Sequence, residues 1–154
     1  MSTCFWRRLL PALVLLALIP SVEAWADATD TTAGAAAISE GNGAFRNGDY
    51  GAAISSYLAS RRQGGESAVV SFNLGVAYYR VGEYAEAEQW LGRAARDSQY
   101  SSRARYNLGL VYWARGDTRS AKSEFKAVEQ VASSRELRSL SHRALAELRR
   151  GADS

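Results

Sequence analysis

The chain has 154 residues, 47% of them apolar and 23% charged, with a formal net charge of +3. This is ordinary globular composition at one-domain length, and it excludes a disordered polyampholyte and a polytopic membrane protein. The charge excess is too small to point to nucleic acid. Both prolines (Pro11, Pro20), the one cysteine (Cys4) and the one methionine (Met1) lie in the first twenty residues. The chain therefore divides into a short N-terminal part and a longer part of different character.

The opening has the three-part pattern of an export signal. Arg7 and Arg8 are followed by an apolar run over 9–19, then Pro20 and small residues. The run is about half of the ~20 residues that a spanning helix needs. Cys4 precedes the run, which does not fit a lipoprotein signal, and the usual flanks of a twin-arginine signal are absent. Cleavage fits after Ala24 or after Ala26, and the second is preferred because Ala24 and Ala26 then stand at −3 and −1. The expectation is a periplasmic chain of 27–154, with a bacterial general secretory signal over 1–26 and no stable membrane insertion after cleavage. That product has no Cys and hence no disulfide. Residues 27–33 are small and polar and read as a flexible leader.

Helical periodicity then predicts helices over 35–46, 50–62, 67–80, 84–96, 101–114, 118–131 and 136–149. They repeat. Asn73, Leu74, Gly75, Tyr78, Gly82 and Ala87 recur, at a constant offset of 34, as Asn107, Leu108, Gly109, Tyr112, Gly116 and Ala121. A weaker earlier copy places Gly41, Gly48, Asp49, Tyr50, Ala53 and Tyr57 in register with Gly75, Gly82, Glu83, Tyr84, Ala87 and Leu91. Gly75 and Gly109 fall inside helices, where Gly costs ~1 kcal/mol relative to Ala. A cost repeated at one register predicts close approach of a partner helix. Gly48, Gly82 and Gly116 fall where a turn needs a left-handed residue, and the acid after each can cap the next helix.

Period and residues together resemble the tetratricopeptide repeat (TPR) family, with Leu74, Gly75, Tyr78, Gly82, Ala87, Leu91 and Ala94 as the best copy. The resemblance implies an all-α solenoid of three helical hairpins, 34–67, 68–101 and 102–135. A last amphipathic helix and tail over 136–154 read as a cap on the third repeat's apolar face. The sequence departs from the family in three ways. The closing Pro is absent, Glu40 stands at the large apolar place of the first copy, and Ala37, Ser71 and Arg105 replace the bulky residue early in helix A.

Signatures of catalysis are poor. His142 is the one His, and zinc takes three or four ligands, so no metal site is expected. Gly41-Asn42-Gly43 follows no strand and lacks the Lys of a phosphate loop. The acids Glu83, Glu86, Glu88 and Glu124 read as a solvated face. No enzyme activity and no cofactor are expected.

What the resemblance implies is a binding groove on the concave side of the first helices of the hairpins. The family's ligand-facing places hold Asn42, Phe45 and Arg46 in the first copy. They hold Phe72, Asn73, Tyr79 and Arg80 in the second, and Arg103, Tyr106, Asn107 and Trp113 in the third. Phe45, Tyr79 and Trp113 make an aromatic ladder, and Arg46 and Arg80 a basic one. Some family members clamp a terminal carboxylate with Lys, Asn, Asn, Lys and Arg. Here the matching places are Ile38, Asn42, Asn73, Arg103 and Asn107, so the first Lys and the last Arg are lost. The implied function is an adaptor or scaffold in the bacterial envelope. It would hold an extended or helical peptide segment of another protein, acidic or C-terminal, and no nucleic acid. The alternative is a self-associating module stacked end to end.

Overall fold

The computed structural model describes residues 22–64 and 67–151. Among them are seven helices: α1 (Val22–Arg46), α2 (Tyr50–Gly64), α3 (Ala68–Val81), α4 (Tyr84–Ala94), α5 (Ser101–Ala114), α6 (Thr118–Val131) and α7 (Arg135–Arg150). They match the seven expected helices in number and order. The largest difference is at α1, which starts at Val22 and so takes in residues 27–33 and the expected cleavage point. The stretch 22–33 has no Gly or Pro to stop a helix. Residues 1–21 of the expected 1–26 signal lie outside the described residues.

Each turn inside a hairpin is built the same way. Gly48, Gly82 and Gly116 have φ of 81°, 85° and 80°, a conformation that costs Gly no Cβ clash. The next backbone N–H then bonds back to the last turn of the preceding helix: Asp49 to Ala44, Glu83 to Tyr78 and Asp117 to Tyr112, at 3.0, 3.0 and 2.9 Å. These bonds satisfy carbonyls that the helix end would leave orphaned. Asp49 accepts from Ala52 N–H at 2.9 Å and Asp117 from Ser120 N–H at 3.0 Å. Glu83 makes no such bond.

The helical glycines sit where two helices touch. A Cβ on Gly41 would lie 2.6 Å from the Tyr57 ring, on Gly75 2.5 Å from Leu91, and on Gly109 2.5 Å from Phe125. In every hairpin, one Gly of the first helix thus admits one large side chain of the second, always at the same sequence offset. Ala53, Ala87 and Ala121 are fully buried at the equivalent place on the second helix. Leu74 and Leu108 are buried as expected, whereas Glu40 at the same place in α1 is exposed. No described helix precedes α1 to cover that side.

α7 packs on α6 and touches α5. Its buried residues are Ser141, Ala144, Leu145 and Leu148. Ser141, Leu145 and Leu148 have the spacing of buried Ala104, Leu108 and Val111 in α5, but at an offset of 37 rather than 34. α7 is a cap turned to a new register. Ser141 Oγ has no hydrogen-bond partner, and Leu137 and Leu140 are only half-buried. Among the described residues no helix is long and apolar enough to cross a membrane.

Candidate functional site

The expected groove residues come from the first helices of the hairpins: Asn42, Phe45 and Arg46 on α1, Phe72, Asn73, Tyr79 and Arg80 on α3, and Arg103, Tyr106, Asn107 and Trp113 on α5. They do not form one uniform surface. Five of them, with Tyr57 and Val76, line a cavity of about 210 Å3 in the crevice between α1 and α3: Asn42, Phe45, Arg46, Phe72 and Asn73.

The crevice has a polar floor. Tyr57, almost fully buried, reaches up from α2 and donates its hydroxyl to Asn42 Oδ1 at 2.8 Å. Asn73 Nδ2 donates to the same oxygen at 3.3 Å. Burial raises the Tyr57 pKa and the nearby Arg46 charge opposes that rise, so the guanidinium acts on the crevice. Phe45, Phe72 and Val76 supply apolar walls.

Two aromatic–cation stacks flank it. Phe45 meets Tyr50 edge-on, with centroids 5.1 Å apart, and the Arg80 guanidinium lies 5.8 and 5.7 Å from the two rings. Arg80 thereby ties the second repeat to the first. On the other side Phe72 packs against Tyr100 at 5.5 Å, and Arg103 lies over Tyr100 at 5.9 Å. Such contacts hold each cation while leaving its N–H groups available. Arg46, Arg80 and Arg103 are exposed and have no carboxylate partner among the described residues.

The remaining candidates are committed to their own hairpins. Tyr79 packs on Tyr84 at 6.0 Å. Tyr106 and Trp113 lie 5.6 and 6.4 Å from buried Phe125. Trp113 still keeps 37% of its surface exposed. Asn107 turns its amide to the Arg103 carbonyl at 2.8 Å, one turn back in its own helix. Phe45 and Tyr79 therefore meet equivalent neighbours, Tyr50 and Tyr84, whereas Trp113 meets Phe125.

Tyr57, Tyr50 and Tyr100 are the site residues that the sequence analysis does not select. Tyr57 is visible in retrospect as the one polar ring among its equivalents Leu91 and Phe125. No group of three or more His, Cys, Asp or Glu side chains among the described residues could hold a metal ion. His142 is exposed and contacts Glu129 at 3.2 Å, away from the crevice residues.

With this geometry in hand, comparison with known proteins gives the class. Two tetratricopeptide repeat family models match, one over residues 38–104 and one over 102–124, together more than half of the chain. The chain belongs to the tetratricopeptide repeat family. It is similar in fold to the first TPR of Spaghetti (RPAP3), solved bound to an HSP90 peptide: TM-score 0.70, 20% identity, covering 80% of this chain and 96% of that one. The Arabidopsis OM64 TPR domain gives 0.71 at 17% identity, covering 79% and 98%. The second TPR domain of human RPAP3, in complex with an HSP70 peptide, gives 0.66 at 24% identity, covering 80% and 98%. A search of curated proteins found no match.

Proposed function

We propose that this chain is a non-catalytic adaptor that holds a peptide segment of another protein in the concave groove, centred on the α1–α3 crevice. The observation that carries the reading is the crevice itself. A cavity of about 210 Å3 has an amide floor and apolar walls, with Arg46 at its edge. Such a site takes an apolar side chain, and the unpaired Arg46, Arg80 and Arg103 favour an acidic segment or a free C-terminal carboxylate. Similar folds from Spaghetti and human RPAP3 were solved with chaperone peptides, which makes a peptide ligand a reasonable analogy.

We also propose that the adaptor works in a bacterial envelope after removal of residues 1–26. The basic, apolar and small segments of the N-terminus support this. The intact mass of periplasmic protein should correspond to a chain starting at Asp27, or at Trp25 if the other site is used. A mass that retains residues 1–19 would reject cleavage.

The groove is tested by the double change Arg80→Glu with Arg103→Glu. Capture of a partner from an envelope fraction should fall while helical circular dichroism is unchanged. Equal capture by variant and wild type would place the binding surface elsewhere.

A further inference from the structure

The charge is unevenly distributed along the solenoid. Residues 27–101 hold six Lys and Arg against nine Asp and Glu, whereas 102–151 hold eleven against five. Internal contacts engage most of those five acids. Glu124 pairs with Arg105, Glu129 with His142 and Glu147 with Arg150, while Asp117 caps α6. The cations left over are concentrated on α6 and α7.

Changes along one face of the hairpin's second helix add to this difference. In the second repeat, Ala85, Glu88, Gln89 and Gly92 of α4, with Arg93 and Arg96 beside them, line a cleft that Leu108, Tyr112 and Arg115 of α5 close from the other side. Glu88 accepts the Tyr112 hydroxyl at 2.8 Å and pairs with Arg115. The same four positions in the third repeat are Arg119, Lys122, Ser123 and Lys126. With Thr118 these line an open depression of about 600 Å3 on α6, and no residue of α7 contributes to it. No carboxylate lines it, and none of its three cations has an ion-pair partner among the described residues.

We infer that this basic face of α6 docks the chain onto an anionic lipid bilayer, separately from the peptide groove. The depression has no aromatic or large apolar residue. Protein interfaces concentrate their energy in such anchors, and single-stranded nucleic acid binding uses aromatic stacking. An open row of two Lys and one Arg instead suits diffuse attraction to a plane of negative headgroups, which needs no pocket. The first two repeats, 34–101, hold six Lys and Arg against seven Asp and Glu and so add little net attraction to the same plane. The excess of cations in 102–151 then sets the solenoid with its last repeat against the membrane.

The test is co-sedimentation of the purified chain with vesicles, read as the ratio of binding to phosphatidylglycerol-rich over neutral phosphatidylcholine vesicles. The ratio should be well above one and fall as salt is raised. Each cation near an anionic surface contributes about fivefold, so Arg119→Gln, Lys122→Gln and Lys126→Gln together should lower the ratio on the order of a hundredfold. The single change Lys122→Gln should lower it about fivefold, which keeps the test valid if the triple variant loses its helical signal. A ratio near one, or one unchanged in the variants, overturns the proposal. Stronger retention by duplex DNA or polyglutamate than by anionic vesicles at equal salt also overturns it.

Discussion

The crevice between α1 and α3 and the equivalent repeat positions on α3, α4 and α5 carry different chemistry. One repeat further along the chain, Asn42 becomes Val76, Tyr57 becomes Leu91, Phe72 becomes Tyr106 and Asn73 becomes Asn107. In the crevice Tyr57, Asn42 and Asn73 share one hydrogen-bonded floor. At the equivalent positions, Val76 and Leu91 remove those polar partners, Asn107 bonds its own helix and Tyr106 packs on Phe125. A repeat register thus fixes where side chains sit, while the residue on the second helix decides whether they make a site.

That comparison depends on a shared scaffold, and breaking the scaffold should give the largest effect. Gly75→Leu and Gly109→Leu drive a side chain into Leu91 and Phe125, which a Cβ alone already approaches to 2.5 Å. Overpacking of this kind costs roughly 1–3 kcal/mol. Thermal melts should show a clear fall in Tm for both variants. A rise would mean that the glycines face solvent, where Leu is the better helix former.

The second test targets the difference itself. Tyr57→Phe keeps the ring beneath Gly41 but removes the hydroxyl that orients Asn42. The loss of one such bond costs about 1 kcal/mol in urea unfolding. Peptide capture should weaken as well, since Asn42 is then free to rotate. If capture is unchanged, the polar floor serves stability alone.

A third test probes the seam on the other side of the second repeat. Burial, the hydrogen bond to Glu88 and the negative charges of Glu88 and Glu124 push Tyr112 up to about 12, against the opposing Arg115. Its folded pKa lies above the ordinary value of 10.0. The associated stability is therefore complete below about pH 10 and lost as pH rises toward 12. Tm should fall across that window more steeply in the wild type than in Tyr112→Phe. Equal slopes would remove Tyr112 as the cause.

How far the sequence reveals these features follows from what sets each one. Gly48, Gly82 and Gly116, and the pairing of Gly75 with Leu91, are legible because backbone geometry demands them at a fixed period. The crevice is only partly legible. Asn42 and Asn73 are found by position, but Tyr57 counts as a core residue until its hydroxyl is seen to reach Asn42. Trp113 illustrates the converse. It continues the series Phe45 and Tyr79, yet Thr118 stands where Tyr50 and Tyr84 would stack on it, so it leans on Phe125 instead. Ser141 is buried because α7 turns to a new register, which the repeat period cannot foretell. Side-chain partners set by tertiary contact escape a pattern that records only spacing.

The smallest expected effect concerns the helix starts, where three equivalent acids behave in two ways. Glu83 and Asp117 have nearly the same backbone, φ −81° and ψ 76° against φ −79° and ψ 75°. Asp117 nevertheless accepts the Ser120 N–H, as Asp49 accepts that of Ala52, while Glu83 caps nothing. The difference is one methylene, which carries the Glu carboxylate beyond the N–H groups of the first turn. Glu83→Asp should therefore supply the missing cap and raise stability by about 0.5 kcal/mol. Hydrogen bonds from Ser120 hold the Asp117 carboxyl below its ordinary pKa. A depressed carboxyl contributes above its unfolded pKa and loses that contribution as pH falls through the folded value. The gain from Glu83→Asp should accordingly be present at neutral pH and vanish in acid below the usual Asp range. Melts of the variant and wild type at both pH values read this directly. A gain that persists in acid would assign the effect to the turn's backbone rather than to a carboxylate cap.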